Sequence, residues 1–221
     1  MSRMNMREWA EGIIRRKEVT AIPIMTHPGI ELTGKTVYDA ISNGEVHFEA
    51  IKALCKRYPA EAATVIMDLT VEAECFGAEI VFPEDEVPSV TGRLLENAAD
   101  IEALEIPSMK KGRIREYLKA NYLAAQQITD RPIFAGCIGP YSLAGRLYDM
   151  SEIMMLLYLN PDAARLLLRK CTDFIIRYCL ALKATGVQGV MMAEPAAGLL
   201  SDNDCREFSS VFVKDIIDKV E

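Results

Sequence analysis

The chain has 221 residues, half of them hydrophobic and 26% charged, with a net charge of −7. That is enough apolar material for one large domain with a real core, and the spread of charge excludes disorder and collagen-like repeats. No apolar run approaches the roughly 20 residues of a membrane helix, the acidic balance argues against nucleic acid, and the start, MSRMNMREWAEGIIRRKEV, has acids and a basic pair where a signal peptide has an apolar block. A soluble cytoplasmic protein with neither nucleic-acid nor membrane partners is expected.

Residues 4–18 read as a helix with Trp9, Ile13 and Ile14 on one face. Residues 21–25 (AIPIM) read as a first strand, followed by a Thr26-His27-Pro28-Gly29 loop. Helices over 36–42 and 44–57 precede a second strand at 64–68 (TVIMD) and a short helical piece at 71–76. Two small extended pieces, 78–82 and 87–90, flank an acidic turn at 83–86. A short helix at 97–104 and a long amphipathic one at 111–129 lead to a third strand at 132–136 (PIFAG). Helices follow at 142–148, 151–159 and 161–185, the last with Pro161 at its start and Gly186 as its stop. A fourth strand, 189–193 (GVMMA), precedes a final helix at 204–220. The strands are short and apolar without clean alternation, as buried parallel strands are, so the class is α/β. A doubly wound sheet and a (β/α) barrel compete. The first turn lacks the glycine-rich fingerprint of nucleotide-binding sheets.

The polar residues fall at strand ends: His27 after the first, Asp68 after the second, Gly139-Pro140-Tyr141-Ser142 after the third and Glu194 after the fourth. In a parallel barrel these ends face one mouth. Asp68 and Glu194 can there share a pocket and take a proton, hold a cation or anchor water. The plain alternative is that each caps the helix that follows it. His27 either faces substrate or bonds a loop carbonyl. The Gly139–Ser142 segment either presents backbone N–H groups to an anion or is an ordinary cap with Ser142. The six cysteines form no C-x-x-C pair and read as reduced, mostly packed thiols, Cys137 among them. With His27 and His47 the only histidines, no zinc site built from this chain alone is expected.

Three segments carry a resemblance: TVIMDLTVEAECFGAEI around Asp68, IGPYSLAGRLY, and GVQGVMMAEPAAGLLS around Glu194. In this order and spacing they resemble the uroporphyrinogen decarboxylase superfamily, from about residue 4 to the end. The resemblance implies a TIM (β/α)8 barrel, of which residues 1–221 would be one domain holding about the first four β/α units. True decarboxylases carry an R-Q-A-G-R loop after the first strand that grips substrate carboxylates; this chain has Thr26-His27-Pro28-Gly29-Ile30 there. Asp68 matches the family aspartate that faces the pyrrole nitrogens. The family tyrosine of the third segment is replaced by Arg146, with Tyr148 two places on. The decarboxylase D-S-w-a-G motif reads Glu194-Pro195-Ala196-Ala197-Gly198.

The Glu-Pro form is similar to the methylcobamide:thiol methyltransferase branch. The resemblance implies transfer of a methyl group from a methylated corrinoid, carried by a corrinoid protein, to a small thiol such as coenzyme M. In that branch zinc, held by an H-x-C pair and a later cysteine, lowers the thiol pKa; those ligands are absent from this sequence. On this reading Asp68 and Glu194 are catalytic, and His27, Tyr141 and Arg146 bind substrate. A half barrel leaves strand edges unpaired, so self-association or a barrel-completing chain is expected. The alternatives are a uroporphyrinogen decarboxylase-type lyase and a non-catalytic chain that binds a corrinoid or tetrapyrrole.

Overall fold

The structure, a computed structural model, describes residues 5–24, 27–83 and 86–221. Its strands are β1 (Ala63–Thr64), β2 (Glu79–Val81), β3 (Ser89–Thr91), β4 (Ile133–Ile138) and β5 (Gly189–Ala193). The helices run α1 (Met6–Arg15), α2 (His27–Thr33), α3 (Val37–Ser42), α4 (Gly44–Arg57), α5 (Val71–Phe76), α6 (Ala98–Ala103) and α7 (Ile114–Gln127). They continue with α8 (Pro140–Tyr148), α9 (Met150–Leu159), α10 (Pro161–Ala184), α11 (Asp202–Cys205) and α12 (Val211–Val220). A 3-10 turn covers Pro195–Leu199, and a π-helical turn, Arg206–Ser210, joins α11 to α12.

The sheet order is β1-β4-β5, with β2 and β3 forming a separate antiparallel hairpin. β1 and β4 are parallel, Ala63 opposite Ile133 and Thr64 opposite Phe134. The β4–β5 bonds advance together along both strands, from Gln188 N–H to the Ile133 carbonyl and from Gly139 N–H to the Ala193 carbonyl. That is parallel α/β architecture. Three of the four predicted parallel strands are therefore in the sheet.

The chain divides into two compact units. The first comprises residues 1–67, 116–136 and 182–191. Its helices start where polar side chains satisfy the unpaired N–H groups of the first turn. Asn5 caps α1, a Thr36–Asp39 capping box opens α3, and Asn43 caps α4. Ile30, Ile41, Phe48, Ile51 and Ile133 form much of its core. Within it His47 Nε2 accepts the Ile66 N–H at 2.8 Å, and its ring stands edge-on to Tyr117. Trp9 meets Phe134 edge-on, with centroids 5.7 Å apart.

Two readings of the first unit need correction. Residues 21–24 form no strand; Met25 and Thr26 lie outside the described residues. The segment runs beside β1 with single bonds, Glu61 N–H to the Ala21 carbonyl and Thr64 Oγ1 to the Pro23 carbonyl. Pro23 has no N–H to give a ladder. His27 does not sit in a loop either but opens α2. Gly29, inside α2, permits close packing on α4: a Cβ there would stand 2.5 Å from the Ala50 carbonyl oxygen.

The second unit comprises residues 68–115, 137–181 and 192–221. Leu143, Leu147, Ile153, Leu167, Phe174 and Tyr178 are buried in it. Each such aliphatic side chain contributes about 1.5–3 kcal/mol through loss of water contact. α5 ends at Gly77, whose φ of 107° is the left-handed turn that glycine supplies. Lys170 on α10 closes the end of α6 by donating to the carbonyls of Ile101, Glu102 and Leu104, each at 2.7 Å. Among the described residues no helix is long and apolar enough to cross a membrane.

Candidate active site

The second unit holds three buried or half-buried carboxylates near strand ends, each held differently. Asp68 follows β1 in a tight Asx-type turn. Its Oδ1 accepts the Thr70 N–H at 3.0 Å and the Thr70 hydroxyl at 2.6 Å. Its Oδ2 is paired with Arg113 Nη1. Arg113 also donates from Nε to Glu74 at 2.7 Å and from Nη2 to Thr70 Oγ1 at 2.9 Å, and its guanidinium lies over the Phe82 ring. Asp68 is thus neither a lone base nor a cap of the helix after it. It is one corner of an ionic network.

Glu194 follows β5 without capping the 3-10 turn that comes next. It reaches instead to α8, where Oε2 accepts the Tyr141 N–H at 3.0 Å and Oε1 the Ser142 N–H at 2.6 Å. Of the two sequence readings of the Gly139–Ser142 segment, Ser142 as cap does not hold, since α8 opens at Gly139 with no side-chain cap bond; the N–H groups do face an anion, and that anion is the protein's own carboxylate. Gly139 permits the approach, since a Cβ on it would lie 2.1 Å from Glu194 Oε2. Ser142 Oγ returns the connection by accepting the Ala196 N–H. Burial pushes the Glu194 carboxyl up, and the bonds from Ser142 and Tyr141 oppose that rise.

Glu72 went unrecognised in the sequence. It is 3% exposed, on α5, and accepts the Ile138 N–H at 2.9 Å through Oε1. Burial pushes its carboxyl up to about 7; the Ile138 bond and Arg146 oppose this, and Asp68 adds to it. Its spacing of four from Asp68 across a helix start was the one available signal. Arg113 was missed as well, because its partner lies 45 positions away.

Beside these groups lies a cavity of about 420 Å³. Its wall includes Ser142, Arg146, Asp149, Met150, Pro195 and Ala196. Asp149 holds a φ of 77°, uncommon for a residue with a Cβ, and its Oδ1 caps α9 through the Ser151 and Glu152 N–H groups. A backbone of this kind stores about 1–3 kcal/mol and tends to occur at sites of function. Tyr141 is fully buried, its hydroxyl has no partner among the described residues, and burial pushes it up to about 12. Asp68, Tyr141, Arg146 and Glu194 all belong to this unit. His27 is half-buried in the first.

The six cysteines are free thiols. Cys137 is buried with its Sγ 3.9 Å from that of Cys179. Hydrogen bonding to Cys179 and burial hold Cys137 well above the usual thiol range, so it is a packed thiol and not a poised nucleophile. Among the described residues no group of three or more His, Cys, Asp or Glu is placed to hold a metal ion. The residues present do not form the zinc centre that the resemblance implies.

A parallel sheet with polar residues gathered past its strand ends defines an α/β protein of the TIM-barrel kind. A family model described as uroporphyrinogen decarboxylase (URO-D) matches residues 11–221, and the chain belongs to that family. It is 26% identical over 185 residues to a uroporphyrinogen decarboxylase of Legionella pneumophila (strain Paris), covering 81% of this chain and 52% of that protein. It is 28% identical over 173 residues to the uroporphyrinogen decarboxylase of Ovis aries, covering 75% and 47% respectively. The chain thus spans about half the length of these relatives. It shares its fold with a methyltransferase from Methanosarcina mazei, at a TM-score of 0.85 and 24% identity, over 93% of this chain and 63% of that one.

Proposed function

We propose that the chain provides about the first four β/α units of a barrel that moves a methyl group from a methylated corrinoid, carried by a corrinoid protein, to a small thiol of the coenzyme M type. The observation that carries this reading is the cavity beside Arg146. A porphyrinogen with many carboxylates calls for several cations around it. Here Arg113 is already committed to Asp68 and Glu74, and among the described residues Arg146 is the one cationic residue on a wall otherwise made of small, apolar and acidic groups. Such a wall suits a small substrate with a single charge.

In this proposal Arg146 and Ser142 orient the thiol substrate, and Tyr141 supports the same helix start from within the core. Asp68 holds Arg113 in place, and Glu194 fixes the start of α8 that carries Arg146. The thiol gives its proton to solvent, and its sulfur takes the methyl group as the carbon–cobalt bond of the corrinoid substrate breaks, the bonding pair staying on the cobalt of the departing corrinoid. A cytoplasmic setting is in keeping with six free thiols. The second reading, a decarboxylase, is favoured by the names of the relatives and by Asp68, which stands where that family's aspartate does.

The test is direct. The protein is incubated with methylcobalamin and 2-mercaptoethanesulfonate, and separately with uroporphyrinogen III. Thioether formation that Arg146→Met weakens mainly through KM supports methyl transfer. Release of carbon dioxide from the porphyrinogen, with no thioether, overturns it in favour of the decarboxylase. Corrinoid binding without turnover overturns both in favour of a binding chain.

A further inference from the structure

Arg146 stands apart from the other well-placed arginines. Arg113 is engaged by Asp68, Glu74 and Thr70. Arg131 is engaged by Asp130 and by the carbonyls of Tyr58 and Ala60. Arg146 makes no hydrogen bond or ion pair among the described residues, yet it is half-buried on the wall of the 420 Å³ cavity. Five donors in a fixed fork, partly withdrawn from water, suit an anionic partner.

The cavity is one side of this arginine; the carboxylates are the other. α5 packs against α8, and the charges of Glu72 and Asp68 both act on the guanidinium, opposing the drop in its pKa that burial causes. Asp68 is already neutralised by Arg113. Glu72 has one hydrogen bond, from the Ile138 N–H, and no ion pair among the described residues. It is the carboxyl left to answer Arg146.

We propose that Glu72 is the internal counter-ion of Arg146, and that its protonation sets the affinity of the cavity for an anionic ligand. The neutral carboxyl leaves the guanidinium to the ligand; the ionised carboxylate competes for it. Several charged and titratable groups face Glu72. They are Asp68, Arg146, the thiols of Cys75 and Cys137, and the phenol of Tyr178. Burial pushes Cys75 up to about 12 and Tyr178 well above its ordinary range, while hydrogen bonding to Cys179 and burial raise Cys137, so all three stay neutral. Burial brings Glu72 itself up to about 7. Coupling of this kind is reciprocal: an anion on Arg146 weakens its pull on Glu72, so binding draws in a proton.

The inference rests on reading the cavity as the substrate pocket, but its test uses no transfer reaction. Methanesulfonate, whose charge is constant across the range, is titrated into the protein at about pH 5.5 and about pH 8.5, well to either side of the Glu72 transition. Backbone amide shifts of α8 read the binding in every variant, and the Arg146 Nε–Hε resonance places it at the cavity wherever Arg146 is kept. About tenfold tighter binding at the lower pH is expected. Glu72→Gln, which keeps the acceptor for Ile138, is expected to bind tightly at both, and Arg146→Met to show no saturable binding at either. Equal wild-type affinity at the two pH values, pH dependence retained in Glu72→Gln, or binding retained in Arg146→Met overturns the inference. Calorimetry of the wild type near neutrality, in buffers of different ionisation heat, supplies a reading without any variant: proton uptake supports the coupling and its absence overturns it. Anion coupling without methyl transfer would sink the proposed reaction alone; methyl transfer without coupling would sink this inference alone.

Discussion

Asp68 and Glu194 both follow a strand of one sheet, and both are withdrawn from water, yet they are held by opposite means. Around Asp68 the chain gathers a hydroxyl and a second carboxylate from the segment that follows it and a guanidinium from 45 positions away. Around Glu194 it brings no cation among the described residues; Tyr141 and Ser142 at the start of α8 bond it, and a glycine makes room. The first arrangement neutralises charge with charge and fixes Arg113 as firmly as it fixes Asp68. The second leaves a carboxyl whose pKa has risen, because dipoles offset only part of the lost hydration. Glu72 carries the second strategy further, with one amide and deeper burial. A buried carboxyl given a cation is a structural member; one given no cation holds its proton more tightly than an exposed carboxyl does.

The contrast can be broken most forcefully at Arg113. Arg113→Met leaves Asp68 and Glu74 facing one another without a cation, and about 3–5 kcal/mol of stability should be lost. Chemical denaturation at pH 7 reads it, and a loss under about 1 kcal/mol would mean Asp68 does not need its cation. The next effect is a slope. Because Glu72 rises from 4.5 to about 7 on folding, the folded state holds the proton more tightly, so stability falls as pH climbs between those values. The decline amounts to roughly 3 kcal/mol, and Glu72→Gln should remove it, making the variant the more stable protein above pH 7. Parallel denaturation curves for the two across that window would refute the contrast.

The smallest expected effect tests the glycine. Gly139→Ala puts a methyl group against the Glu194 carboxylate and should cost about 1–3 kcal/mol. Combined with Glu194→Ala the loss should be well short of additive. Full additivity would mean that the steric contact described at α8 is not what requires glycine.

Local rules carried the sequence reading a long way. α4 and α5 fall on their predicted limits, because Asn43 and Gly77 mark a start and a stop in the chain itself. The reading failed where a local signal was ambiguous or the cause was remote. An apolar run holding Pro23 looked like a strand but lacks the donor a ladder needs. Thr-His-Pro-Gly looked like a loop, yet proline suits the first turn of a helix and Gly29 is demanded by α4, which no nearby residue announces. At the site, the strand-end positions of Asp68 and Glu194 were legible. Their partners were not, since the Asp68–Arg113 pair spans 45 positions and Glu194 caps a helix more than 50 residues earlier in the chain.

The packing of Trp9 on Phe134 has a practical consequence. It is the only tryptophan in the chain, and it sits edge-on to a ring of the first unit. Its emission therefore reports on that unit alone. The eight tyrosines divide evenly, Tyr38, Tyr58, Tyr117 and Tyr122 in the first unit and Tyr141, Tyr148, Tyr158 and Tyr178 in the second, so their absorbance reports on both. A melt followed at both signals compares the first unit with the whole in one unlabelled sample. Coincident curves would mark a single cooperative transition and displaced ones an intermediate.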